Sequence, residues 1–121
     1  MENNFSIIIS TCDKFSDLWD AHILLLNQNW ADRNVETFLV TDKPTDRTFE
    51  NVTVVAAGEG TEITERLKVV LPLIKTEYVL FTLDDYFLTE KISTQALNED
   101  IQIMEKHQID YLRLFVMTMK R

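Results

Sequence analysis

The sequence predicts an α/β fold in which a mainly parallel sheet is sandwiched between two layers of helices. Three observations carry that prediction. Short apolar, β-branched runs recur along the chain, segments with helical spacing of apolar residues separate them, and the connections between the two are short. Strands that alternate with helices pair in parallel, because right-handed crossovers lay each helix on a face of the sheet.

Phe5, Ile7, Ile8 and Ile9 form the first run and lead into Ser10 and Thr11, the pattern of a buried strand. From Phe15 the apolar positions fall at 15, 18, 19, 22, 26 and 30 if His22 is counted, which predicts the first helix with Asp13 or Ser16 as its cap. Residues 35–40 read as the second strand. Thr41, Asp42, Lys43 and Pro44 stop it, since proline restricts the residue before it and has no N–H to donate to a ladder.

After a polar turn to about Asn51, residues Val52, Val54, Val55, Ala56 and Ala57 make the third strand. Gly58 and Gly60 let the chain turn before Thr61, which reads as a helix cap. Ile63, Leu67, Val70, Leu71 and Ile74 then form one stripe of a second helix, with Glu62 and Glu65 near its positive end. Pro72 removes a backbone donor, so a kink or a looser final turn is expected there. Residues 78–83 are the fourth and most apolar strand, read as an inner one, and they run into Asp84, Asp85, Tyr86 and Phe87. Ser93 or Thr94 caps a third helix carrying Leu97, Ile101 and Met104, and residues 111–117 read as a fifth strand.

A chain of 121 residues fits a single domain over 1–121, large enough to bury roughly two-thirds of its unfolded surface. With 45% hydrophobic and 26% charged residues and only two glycines and two prolines, the composition is globular. A net charge of -8 repels phosphate backbones and excludes nucleic acid as the expected partner. An anionic ligand would instead need a local cation, which a bound divalent metal supplies. One cysteine cannot close an internal disulfide and no signal-like leader opens the chain, so a reducing cytoplasmic setting is the expectation. Apolar runs such as 23–26 fall far short of the about 20 residues that span a bilayer.

Ligands of parallel sheets bind beyond the carboxyl ends of the strands. Ser10 and Thr11, Asp42, and Asp84 with Asp85 are the polar groups that follow strands in this sequence. A carboxylate taken out of water must be paired, protonated or bound to metal. Mg2+ or Mn2+ fits such a place, because these hard ions take oxygen ligands, retain waters and share their remaining positions with phosphates. Adjacent strand residues point to opposite faces, so one aspartate is expected to ligate directly. Asp85, nearer the loop, is assigned that part, and Asp84 a ribose hydroxyl or a metal-bound water. The competing reading is an acidic turn that caps the strand or a following helix.

Asp42 is placed to accept hydrogen bonds from a base or ribose, yet its Thr-Asp-Lys-Pro setting is also an ordinary turn in which aspartate bonds local backbone. Arg66 and Lys68 sit on the second helix, where either reaches a diphosphate or faces solvent; Arg66 is the preferred candidate. Cys12 stands far from His22 and His107 in sequence and reads as a small buried residue rather than a nucleophile. His22, on the apolar stripe, reads as a hydrogen-bonded core histidine, and His107 as a helix-end cation.

Four segments, FSIIIST over 5–11, FLVTD over 38–42, TERLK over 64–68 and YVLFTLDDYF over 78–87, together resemble bacterial glycosyltransferases of the GT-A fold. The last is the most specific. The resemblance implies a Rossmann-like α/β/α nucleotide-binding half in which Asp84 and Asp85 bind the metal on a nucleoside diphosphate, Asp42 meets the base or ribose, and Ser10 and Thr11 form the first nucleotide-contacting turn. It implies sugar transfer from a nucleoside-diphosphate sugar to a hydroxyl, in capsule or lipopolysaccharide assembly, with Mn2+ or Mg2+ as cofactor. The pattern departs from the common Asp-any-Asp spacing, with Tyr86 where many relatives carry a further acid. Because the resemblance covers only the first half of a typical family domain, the 121 residues are expected to lack the acceptor-binding half, and no catalytic base is assigned.

The alternative is a non-catalytic α/β module that self-associates through an apolar patch. A phospho-acceptor receiver domain is disfavoured by motif order, because its acidic pair follows the first strand, where this chain has Ser10 and Thr11.

Overall fold

The computed structural model describes residues 4–112 and 114. Within them the order is β1 (Phe5–Ser10), α1 (Trp19–Asn29), β2 (Thr37–Thr41), β3 (Thr53–Ala56), α2 (Ile63–Val70), β4 (Tyr78–Leu83) and α3 (Thr94–His107). The four strands form one all-parallel sheet in the order β3-β2-β1-β4. Helices cover both faces, so the chain is an α/β fold.

β1 is the axis of the molecule. All six of its residues are buried, and their side chains alternate between two cores as a strand's must. Phe5, Ile7 and Ile9 join Leu39, Trp19, Leu26 and Trp30 of the first helical segment and Leu97 of α3. Ile8 joins Phe38, Val40 and Val70, which brings α2 onto the opposite face. Trp30 closes the larger core at the end of α1: its ring stacks on Phe5 with centroids 6.1 Å apart, and its indole N–H donates to Thr94 Oγ1 at 2.9 Å. Thr94 in turn donates to the Asp32 carbonyl at 3.0 Å, so the start of α3 is docked on the end of α1.

Local starts and stops differ from the sequence reading in instructive ways. The first helical segment opens as a 3-10 turn over Asp13–Leu18 with neither Asp13 nor Ser16 capping it, and Phe15 leaves helical geometry and lies 44% exposed. Thr61 does not cap α2 either. Its hydroxyl donates to the Gly58 carbonyl, and Glu62 takes the cap position in a reciprocal capping box with Glu65. The helical turn does loosen at Pro72, into a 3-10 turn over Leu71–Leu73. Ser93 caps α3, its hydroxyl accepting from the Ala96 N–H at 3.2 Å.

β4 departs most from expectation. Among the described residues it pairs with β1 alone and lies at the outer side of the four strands, where the sequence predicts an inner strand. Register sets Val79 and Phe81 on the face of Ser6 and Ile8, but α2 packs over β1 and β2 and stops short of β4. Val79 and Phe81 are therefore 38% and 42% exposed. Of the fifth strand expected over 111–117, Tyr111 and Leu112 are in no strand, and Leu114 packs against the larger core; the rest lies outside the described residues.

Candidate functional site

The chain runs from β1 outward through β2 to β3, then returns to place β4 on the other side of β1. Such a reversal opens a crevice beyond the carboxyl ends of the two strands at the switch, here β1 and β4. The loops carrying Thr11, Asp42, Asp84 and Asp85 meet at that edge.

Asp84 is held on three sides. Its N–H donates to the Ser10 carbonyl at 3.2 Å, extending the β1–β4 ladder by one residue. Its carbonyl accepts from His22 Nδ1 at 3.1 Å, which requires the proton on that nitrogen. Its Oδ2 accepts from the Thr11 hydroxyl at 2.6 Å, and Thr11 Oγ1 accepts from the Trp19 indole N–H at 2.8 Å. Asp85 follows in a turn closed by the Tyr86 N–H on the Leu83 carbonyl at 3.1 Å, and it is exposed.

That turn changes the argument about the two carboxylates. Strand alternation ends at Leu83, so opposite faces no longer separate Asp84 from Asp85. Occupancy does: one oxygen of half-buried Asp84 is already bonded, while exposed Asp85 faces water. His22 is buried beneath them. Burial pushes its pKa down, and the bond to the Asp84 backbone and the charges of Asp84 and Asp85 only partly offset this, so the neutral ring is favoured.

Asp42 clamps two loops together. Its Oδ1 accepts from the Asp13 N–H and the Lys43 N–H, both at 2.8 Å, and from the Thr41 hydroxyl at 3.2 Å. The local turn anticipated from the sequence is thus present, with an added cross-loop bond to the segment after β1. Burial pushes the Asp42 carboxyl up, but these hydrogen bonds to its ionised form outweigh it and hold the pKa below the ordinary carboxylate value. A depressed folded pKa stabilises the fold above the unfolded value of about 3.9 and loses that contribution as pH falls through the folded value. Asp42→Asn is accordingly expected to flatten the acid limb of stability below about pH 4, read by urea midpoints across pH; an unchanged acid limb would count against the clamp.

The remaining candidates fall differently. Ser10 is buried and offers its carbonyl to Asp84. Thr11 is buried, with its hydroxyl engaged on both sides. Arg66 is buried on α2, where one guanidinium N–H donates to the Thr61 carbonyl beyond β3 while its buried Nε meets no hydrogen-bond partner among the described residues. Cys12 is half-buried rather than enclosed, because it starts the 3-10 turn at the edge of the sheet.

Two participants were not singled out from the sequence as site residues. Trp19 reads there only as one more apolar helix position, although a buried indole must find an acceptor. Arg47 lies over the Trp19 and Phe49 rings at 5.1 and 5.3 Å and pairs with Asp20 at 2.8 Å, covering the indole from the solvent side. Its position in a polar turn gave no periodic signal.

Among the described residues no three histidine, cysteine, aspartate or glutamate side chains are grouped closely enough to hold a metal unaided. The donor set at the switch is two oxygen-bearing side chains, suited to a hard cation that completes its shell from water and ligand. A hollow of about 620 Å³ lies at the opposite end of the sheet, bordered by Arg33, Glu36, Thr37 and Thr53. No helix among the described residues is long and apolar enough to cross a membrane. No protein-family model, curated protein or solved structure matches the chain.

Proposed function

We propose that the carboxyl edge of the sheet binds a nucleoside-diphosphate sugar together with Mn2+ or Mg2+, as the donor-binding half of a GT-A-type glycosyltransferase. The observation that carries this reading is that Asp84 and Asp85 follow β4 at its switch with β1, while Asp42 follows β2 at the same carboxyl edge and is bonded to the segment after β1. In a chain of net charge -8 a diphosphate cannot be held there without a cation. Asp85 and the second oxygen of Asp84 would hold that cation, and Asp42, which accepts the Asp13, Lys43 and Thr41 bonds through Oδ1, has Oδ2 to offer a ribose or base. The ion would supply positive charge against the diphosphate leaving group as the glycosidic bond breaks. The protein's part is to fix the carboxylates in place before the donor arrives. Arg66 is given no part here, because its side chain is buried and one guanidinium N–H already meets the Thr61 carbonyl.

Calorimetric titration of UDP and UDP-sugars with and without Mn2+ tests the reading. Saturable, metal-dependent binding is expected, and silence across all nucleotide sugars under both conditions would sink it.

A second reading rests on a separate observation, the exposed apolar pair Val79 and Phe81 on one face of β4. It makes the chain a non-catalytic module that self-associates through this face. The expected outcome is then a mass by light scattering that rises with concentration and returns to the monomer in Phe81→Lys; a constant monomer mass rules it out.

A further inference from the structure

We propose that Trp19 and Thr11 form a hydrogen-bond relay that positions the Asp84 carboxylate, so that Thr11 serves the site by orienting Asp84 and not by touching nucleotide. The proposal rests on the metal–diphosphate reading of the Asp84-Asp85 turn.

The direction of the relay follows from donor counting. An indole N–H only donates, so the 2.8 Å contact from Trp19 Nε1 occupies a lone pair of Thr11 Oγ1. The hydroxyl has one proton left to place. Its two acceptors are Asp84 Oδ2 at 2.6 Å and the Cys12 carbonyl at 3.4 Å, and the shorter bond goes to the carboxylate, where charge strengthens it. Trp19 and Thr11 are 1% and 4% exposed, so water does not compete for either bond.

The relay also has a rigid base. Trp19 opens α1 and its ring is covered by Arg47 and edge-on by Phe49. The main chain of Asp84 is fixed independently, through its N–H on Ser10 and its carbonyl on His22. With backbone and Oδ2 both anchored, the torsion of the carboxylate is set, and Oδ1 is the oxygen left to face a ligand. Satisfying a buried indole needs any acceptor; ending the chain of bonds on one of the two candidate ligating carboxylates is what a purely structural role does not require.

Two measurements on the full chain test this. In 1H–15N spectra only two indole signals exist, since the sequence has two tryptophans. Asp84→Asn should displace the Trp19 indole signal through Thr11 and leave Trp30, bonded to Thr94, as the internal control. An unmoved Trp19 signal overturns the relay without any ligand being present. In the second arm, Thr11→Val should weaken Mg2+-dependent UDP binding about 10- to 100-fold, the usual effect of losing a partner that orients a ligating group, and Thr11→Ser should restore it. Equal affinity in wild type and Thr11→Val overturns the relay alone. Failure of the wild-type chain to bind UDP with Mg2+ or Mn2+ overturns the site reading and, with it, the role given to Thr11.

Discussion

Asp85→Ala is expected to remove metal-dependent nucleotide binding while leaving the fold intact. The side chain is exposed and makes none of the hydrogen bonds or ion pairs that tie the carboxyl edge together, so its truncation should move stability by no more than about 0.5 kcal/mol. If Asp85 ligates the proposed cation as one of two protein groups, its loss should instead lower affinity by at least about 100-fold, or roughly 2.7 kcal/mol. The contrast makes the measurement clean. A ligand at about 100 times its dissociation constant stabilises the folded state by roughly 2.7 kcal/mol, so UDP with Mn2+ should raise the melting temperature of the wild type and leave that of Asp85→Ala unmoved. Asp85→Asn should behave like the alanine variant, because the charge and not the shape is what holds the ion. A full thermal shift in both variants would remove Asp85 from the site and leave Asp84 as the sole candidate ligand.

Trp30→Ala is expected to produce the largest loss of stability, about 4 kcal/mol out of the roughly 5–15 kcal/mol by which domains of this kind are folded. Three effects add. The indole is 2% exposed and fills the larger core against Phe5, so truncation leaves a cavity beside the central strand. The Thr94 hydroxyl loses its donor, while its own bond to the Asp32 carbonyl remains. The start of α3 thereby loses its indole tie and keeps only the Thr94 bonds to Asp32, while the loop between β4 and α3 keeps its bonds to Asn29, whose side chain donates to the Leu88 carbonyl at 2.6 Å and whose carbonyl accepts from the Ile92 N–H at 2.8 Å. Urea unfolding should show a lower midpoint, and Trp30→Phe should recover most of it by refilling the volume. A midpoint within error of the wild type would mean that the two helices do not depend on this contact.

Much of the architecture was legible because its code is local. The β-branched run from Phe5 to Ile9, the stripe of Ile63, Leu67, Val70, Leu71 and Ile74, of which Ile63 and Leu71 prove exposed, and the cap at Ser93 each point to an element through spacing within a few residues. The alternation of those elements specified a parallel sheet with helices on both faces, and the strand-end positions of Ser10, Asp42 and Asp84 specified which residues face the carboxyl edge. His22 was likewise readable, since a histidine on an apolar stripe must find a partner, and it does so on Asp84.

Tertiary structure alone decided the rest. The apolar run 78–83 reads as an inner strand, but whether a strand is covered depends on which helix lies over it, and the core beneath α2 takes in residues of β1, β2 and β3 but none of β4. Arg66 reads as a free cation until the fold buries it against Thr61. The roles of Thr11 and Trp19 required three segments, separated by up to 73 residues, to meet in one hydrogen-bonded chain. Sequence spacing fixes what each segment becomes because neighbouring side chains share a backbone period; it carries no direct record of which distant donor finds which acceptor, a choice made when burial leaves each polar group only the partners that the packed chain brings within about 3 Å.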